Sequence, residues 1–297
     1  MSHKKRGKKM MLLSEIMETE LERFEKTEKY ISQEKIDGDR VRIIIGNILG
    51  KRKVTIINRH ENNYSLNFPE IIAGLGIKKE ALNKGKIIID GEIAYLNPET
   101  KIFDHNKITA RQHTINSRKI QILRFRFPVK FYAFDLISYG GIDMVNNPDY
   151  TYEKRYNILK QIVINNNVTE LLQIRYDLTK HFKEICKIGN EGIVVKQLDN
   201  IYINGRSNSI LKCKNWKYEE IKFEGYEDCP SGIVLTNNKD RVLCADSKQA
   251  EIIRATIMQM GYSYEVIRHL QNRTENGALR EPSWKSKAKY LNRCRGD

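Results

Sequence analysis

The sequence has no Cys-x-x-Cys pair, and its five cysteines (Cys186, Cys213, Cys229, Cys244 and Cys294) are odd in number. That arithmetic argues against a disulfide framework and against a zinc site, and it fits a reducing cytoplasm. The six histidines do not stand at ligand-like spacing to the cysteines. Apolar runs fall well short of the roughly 20 residues a membrane helix needs, and no signal peptide is evident, so no membrane association through a span is expected. Internal repeats and low-complexity tracts are also missing, which argues against a solenoid or a disordered chain.

What is present is a globular composition, 40% hydrophobic and 9% aromatic over 297 residues, long enough for about two domains. The balance of charge is uneven. Lys and Arg number 52 against 37 Asp and Glu, a formal charge of +15. A field of that sign favours polyanions, with nucleic acid the first candidate and an anionic membrane surface the second.

Residues 1–10 are basic and read as a solvated tail. Leu13, Ile16, Met17, Leu21 and Phe24 fall at helical spacing and predict a helix. Short Ile-, Val- and Tyr-rich runs then predict strands at 30–35, 41–45, 54–57, 87–96 and 129–137. Helices are expected at 151–164 and 179–188, and strands at 192–197 and 210–214. A boundary near 215–218 leads to strands at 220–226, 232–236 and 241–245, a helix at 248–260 and a last strand at 264–270. This order predicts an α+β chain, with domains at 11–216 and 217–297, the second a small barrel.

Several strand ends carry chemistry-bearing residues. Lys35-Ile36-Asp37-Gly38-Asp39-Arg40 puts a lysine before a glycine turn and an arginine after it. A lysine amine is a poor nucleophile near neutral pH unless its proton is made easier to lose. Asp90-Gly91-Glu92 places acids in an apolar run, and Phe131-Tyr132-Ala133-Phe134-Asp135 ends a strand in aromatics. Glu191-Gly192-Ile193-Val194-Val195-Lys196 heads a β-branched strand with an acid. In Leu211-Lys212-Cys213-Lys214, alternation puts Lys212 and Lys214 on one face. Each of these also reads as ordinary surface or core when taken alone.

Together and in this order, the motifs from Lys35 to Lys214 resemble the covalent nucleotidyltransferase superfamily, and specifically ATP-dependent DNA ligases. Asn58-Arg59-His60 adds a weaker likeness, and the stretch Asn58–Ile71 and the tail from Thr274 to Trp284 are similar to the archaeal and bacterial types. The resemblance implies an adenylyltransferase domain of antiparallel sheets with flanking helices, followed by an OB-fold barrel. It implies nick sealing in duplex DNA, with ATP and a divalent cation (Mg²⁺ or Mn²⁺), by a monomer. RNA-end sealing and a non-catalytic nucleic-acid-binding scaffold are the alternatives. By the same resemblance Lys35 is the nucleophile, with its pKa depressed by Lys212 and Lys214, which also hold phosphate. Arg40 and Arg59 clamp phosphates, Glu92 takes a ribose hydroxyl, Phe134 stacks on adenine, Gln33 reads the adenine edge and Glu191 serves the metal. The basic stretch of Lys107, Arg111, Arg118, Lys119, Arg124 and Arg126 is expected to touch DNA. The family's usual pyrophosphate-orienting segment is missing here, so Arg280 or Lys285 is expected to substitute.

Overall fold

β-Branched runs build most of the first half of the molecule. Residues 10–48, 51–270, 273–274 and 276–286 are described by the structure, a computed structural model. The chain divides into two units, 1–214 and 215–297.

In the first unit the strands and helices run β1 (Met11–Ile16), α1 (Leu21–Glu25), β2 (Tyr30–Glu34), β3 (Asp39–Ile48), β4 (Lys51–Asn58), α2 (Pro69–Gly74), α3 (Lys79–Leu82), β5 (Ile87–Ala94), α4 (His105–Gln112) and α5 (Ser117–Arg126). They continue through β6 (Lys130–Tyr139), β7 (Ile142–Asp143), α6 (Tyr152–Ile162), β8 (Thr169–Leu171), α7 (Leu178–Ile188), β9 (Gly192–Gln197) and β10 (Gly205–Lys214). Two sheets result. One has the order β4-β3-β5-β6-β7, with β8 parallel to β6; the other is β1-β10-β9-β2.

The larger sheet packs its β-branched faces into the main core with α6. That helix presents Tyr152, Arg155, Tyr156, Leu159 and Ile162 inward, the spacing of a single stripe, and Thr151 caps it by accepting from the Lys154 amide. In β5, Ile87, Ile89 and Ile93 are fully buried. Gly91 interrupts the run because a Cβ there would sit 2.3 Å from the Phe131 ring.

The helix expected from Leu13 to Phe24 does not form as such. Met11–Ile16 is a strand paired in parallel with β10, and a single 3-10 turn at 18–20 leads into the short α1. Ile16 and Leu21 do share a core, together with Leu178, Phe182 and Leu211. Local periodicity therefore found part of that core, Ile16, Leu21 and the half-buried Phe24 packed against them, while Leu13 packs on a different cluster; pairing with a strand some 190 residues later set the conformation of the segment. Of the basic start, residues 1–9 lie outside the described residues; Met10 is buried.

The second unit comprises β11 (Trp216–Phe223), β12 (Gly225–Cys229), β13 (Gly232–Thr236), β14 (Arg241–Cys244), α8 (Ser247–Met260), β15 (Ser263–Leu270) and β16 (Arg280–Lys285). Antiparallel sheets β11-β15-β16 and β12-β13-β14 enclose Phe223, Ile233, Leu235, Val242 and Ile267. Ala250, Ile253 and Ile257 of α8 pack onto that core, Asp246 caps the helix start, and left-handed Gly261 ends it. Among the described residues no helix is long and apolar enough to cross a membrane.

Candidate active site

The two sheets of the first unit line a cleft open to solvent, about 610 Å³ of space between their side chains and the open mouth. Its walls come from both: Met11, Leu13, Gln33, Val194 and Ile210 from the smaller sheet, and Arg40, Glu92 and Phe134 from the larger. Lys35 stands where β2 ends, its amide held by the Gly192 carbonyl at 2.9 Å. The turn that follows lies hard against β5, because a Cβ on Gly38 would come 2.3 Å from the Ile93 carbonyl oxygen. That close approach is open only to glycine, and it sets Lys35 and Glu92 on the same cleft.

Lys35 Nζ donates to Glu191 Oε2 at 2.6 Å, and Lys214 Nζ reaches the other oxygen of Glu191 at 3.2 Å. Burial works against the charged Lys35 amine. It is outweighed by the charge of Glu191 and of Glu92, by the hydrogen bond to Glu191 and by Asp37, so the pKa of Lys35 moves up. This corrects the expectation that neighbouring cations depress it. Lys214 pairs with Glu191, and Lys212 with Glu15 at 3.6 Å, so carboxylates already neutralise the two lysines. Burial raises the Glu92 carboxyl to about 8, favouring its neutral form, against the pull of Lys35 and Arg40.

Gln33 is buried, and its Nε2 donates to the Leu172 carbonyl at 2.9 Å. That bond fixes the amide orientation and leaves Oε1 buried with no donor. An unmet buried acceptor costs about 1–3 kcal/mol, so this atom calls for an N–H or O–H from a ligand or water. Arg40 is held in place by both oxygens of Asp90 (3.1 and 2.7 Å), with Tyr202 Oη donating to Asp90 at 2.6 Å. Its guanidinium lies 5.5 Å from the Phe134 ring centroid.

Lys196 closes the Glu191–Lys196 motif, and the family resemblance implies no role for it. It is buried, lines the cleft, and has no carboxylate partner among the described residues. Its Nζ donates to the Phe134 carbonyl at 3.2 Å and sits 4.7 and 4.5 Å from the ring centroids of Phe134 and Tyr152. Burial, reinforced by Arg155 and Arg40 and opposed by Asp135 and Asp90, brings its pKa down to about 7. The signal was available: Val194 and Lys196 alternate on one face of β9, as Asp90 and Glu92 do on β5.

Other expected residues lie elsewhere. Arg59 is exposed on the turn after β4 and donates to His60 Nε2 at 3.1 Å; it does not line the cleft. Arg111 is 1% exposed and forms a two-point ion pair with buried Glu70, so it is removed from the DNA-contact set: its charge is spent inside the protein. Lys107 lies over the Phe127 ring at 4.9 Å. Arg118, Lys119 and Arg126 are exposed on α5, and Arg124 is half-buried there. Arg280 and Lys285 are half-buried at opposite ends of β16 in the second unit.

Residues 10–214 match the model of the ATP dependent DNA ligase domain. The chain belongs to the ATP dependent DNA ligase family. Among curated ligases, the DNA ligase of Ignicoccus hospitalis is 28% identical over 176 residues, which cover 57% of this chain and 27% of that protein. The DNA ligase of Thermoplasma volcanium is 26% identical over 198 residues, 63% and 30% of the two chains. The chain thus matches less than a third of the length of these relatives. Among solved structures, the mycobacterial DNA ligase D complexed with ATP and MES superposes with a TM-score of 0.56 at 18% identity, covering 95% of each chain. A structure from a study of Lig E ligases and DNA binding with a minimal scaffold gives 0.59 at 16% identity, covering 93% of this chain and 98% of that one. These likenesses are of fold: an α+β ligase nucleotidyltransferase domain with an OB-fold domain after it.

Proposed function

We propose that this ligase-family chain seals nicks in duplex DNA, as a monomer, using ATP and passing through a lysyl-AMP on Lys35. The observation that carries the reading is a cleft lined together by Lys35, Gln33, Glu92, Arg40 and Phe134, with the Gln33 Oε1 buried beside it and lacking a donor.

Three displacements follow, each in line at phosphorus. Lys35 Nζ, once free of its proton, forms an N–P bond to the α-phosphorus as the bond to pyrophosphate breaks. A 5′-phosphate oxygen of the nick then takes the adenylyl group, and the lysine amine is regenerated. Last, the 3′-hydroxyl attacks that activated phosphate, the phosphodiester forms and AMP leaves. Because Glu191 takes the Lys35 hydrogen bond, it is the group that holds the amine charged and oriented before nucleotide arrives.

The base fits the cleft by hydrogen-bond arithmetic. Gln33 Oε1 accepts from the 6-amino group of adenine, whereas guanine would set a carbonyl oxygen against it. Phe134 and Val194 supply apolar walls for the ring, and Lys196 offers a donor to a ring nitrogen. Glu92 takes a ribose hydroxyl, while Arg40, Lys212 and Lys214 face the phosphates. Arg59, which lies outside the cleft lining, contacts a phosphate as well, and Arg280 or Lys285 aligns the leaving pyrophosphate.

A divalent cation, Mg²⁺ or Mn²⁺, would be shared between ligands from the protein and from the nucleotide. No group of three His, Cys, Asp or Glu among the described residues gathers to hold an ion alone. Magnesium is commonly held by one or two carboxylates plus phosphate oxygens, and Glu191 would be the protein ligand. When bound, the ion neutralises charge on the phosphate oxygens.

Incubation with α-labelled ATP or GTP and Mg²⁺, followed by denaturing electrophoresis, tests the reading. Label should transfer from ATP, not GTP, and should vanish in Lys35→Ala. Covalent label on Lys35→Ala, or none on the parent chain, overturns the assignment.

A further inference from the structure

An amphipathic helix buries one stripe and shows polar residues on the opposite one. Helix α5 breaks that rule. Its buried stripe is Ile120 and Leu123. The opposite pole, at three- and four-residue spacing, is Arg118, Ile122 and Phe125. Ile122 is 58% and Phe125 79% exposed. Lys119 and Arg126 border this pole on one side, seven residues apart and both exposed. Among the described residues, no carboxylate pairs with Arg118, Lys119 or Arg126. The sequence explains why none is near at hand: no Asp or Glu occurs anywhere from residue 105 to 134.

Two apolar side chains on the solvent pole of a helix mark an interaction surface. The cationic, acid-free border says what kind. Arg118 and Arg126 are about 12 Å apart along the helix axis. A DNA duplex carries one phosphate charge per roughly 1.7 Å of axis, so about seven charges fall within that span. We propose that α5 is a duplex-binding surface on which Arg118, Lys119 and Arg126 take phosphates while Ile122 and Phe125 press on sugar and base edges between them. The proposal rests on nicked DNA being the substrate. It adds that part of the binding is apolar and independent of salt.

The test is fluorescence anisotropy of the full chain on a labelled nicked duplex in EDTA, titrated across sodium chloride. One variant carries Arg118→Ala, Lys119→Ala and Arg126→Ala; the other carries Ile122→Ser and Phe125→Ser. For the cationic variant, the plot of log affinity against log salt should flatten by about 2.7, at about 0.9 per phosphate contact. The apolar variant should bind about tenfold more weakly at every salt concentration with an unchanged slope, as two apolar side chains lose their burial. Both should self-adenylylate like the parent, which also reports that they fold. If the parent seals nicks and either variant binds DNA with parental affinity and slope, the α5 surface is overturned while the ligase reading stands. Loss confined to anionic lipid vesicles, with DNA binding intact, overturns it equally. A parent that neither takes label from ATP nor binds a nicked duplex overturns the ligase reading itself, and this proposal with it.

Discussion

Replacing Lys196 by Met should stabilise the protein while weakening its hold on ATP. Met matches the length of the buried stem and carries no charge. Lys196 has a folded-state pKa of about 7 against an ordinary 10.5. Between those two values the unfolded chain binds the proton that the folded chain sheds, so wild-type stability rises with pH across that window. Integrated at pH 7, where the folded lysine is half protonated, the penalty is about 4 kcal/mol at about 1.36 kcal/mol per pH unit. The Phe134 and Tyr152 rings offset part of it, at about 1 kcal/mol each for cation–π contacts at this depth. The net gain for Lys196→Met is then about 2 kcal/mol at pH 7, or roughly 4–8 °C in Tm for a unit of this size. Near pH 10.5 the gain should vanish. Melts of both proteins at pH 7 and pH 10, with ATP titrations alongside, measure it. A difference that stays constant with pH, or a variant less stable at both, would refute the desolvation argument and hand the site to the aromatic faces.

Two further outcomes follow from the ion pairs. Arg111→Ala leaves Glu70 charged and buried without its partner, and should cost about 3–5 kcal/mol in urea denaturation; a change within about 0.5 kcal/mol would return Arg111 to the surface set. Glu191→Gln removes the carboxylate charge that raises the Lys35 pKa, leaving only a neutral amide oxygen to accept its hydrogen bond. Brief amine acylation of the nucleotide-free protein at pH 8, read by mass spectrometry at Lys35, should then run faster, about tenfold per pKa unit lost. An unchanged rate would mean that Glu191 does not control that proton.

The sequence made the cleft legible in proportion to how local its construction is. β2, β5, β9 and β10 carry their functional residues at strand ends or in two-residue alternation, and Gly38 and Gly91 mark close backbone approaches, so pattern brought out the motifs around Lys35, Glu92, Glu191 and Phe134, while their roles came from the family resemblance. What stayed hidden depends on partners far along the chain. Met11–Ile16 looks helical until β10 is beside it. Arg111 looks like part of a basic surface until Glu70, 41 residues earlier, takes its charge. Lys212 and Lys214 alternate as expected, but the carboxylates that neutralise them, Glu15 and Glu191, come from other elements. Lys196 ended an apolar strand that reads equally well as core.

The parallel pairing of Met11–Ile16 with β10 has a consequence for synthesis. A nascent chain that has emerged only to residue 204 already owns the amine at 35 and the acids at 92 and 191, yet one wall of the cleft is absent because its clasping strand has not left the ribosome. Competence to take up nucleotide therefore arrives late and all at once, and chains terminated before that strand should fail to bind ATP however much of the larger sheet they have folded.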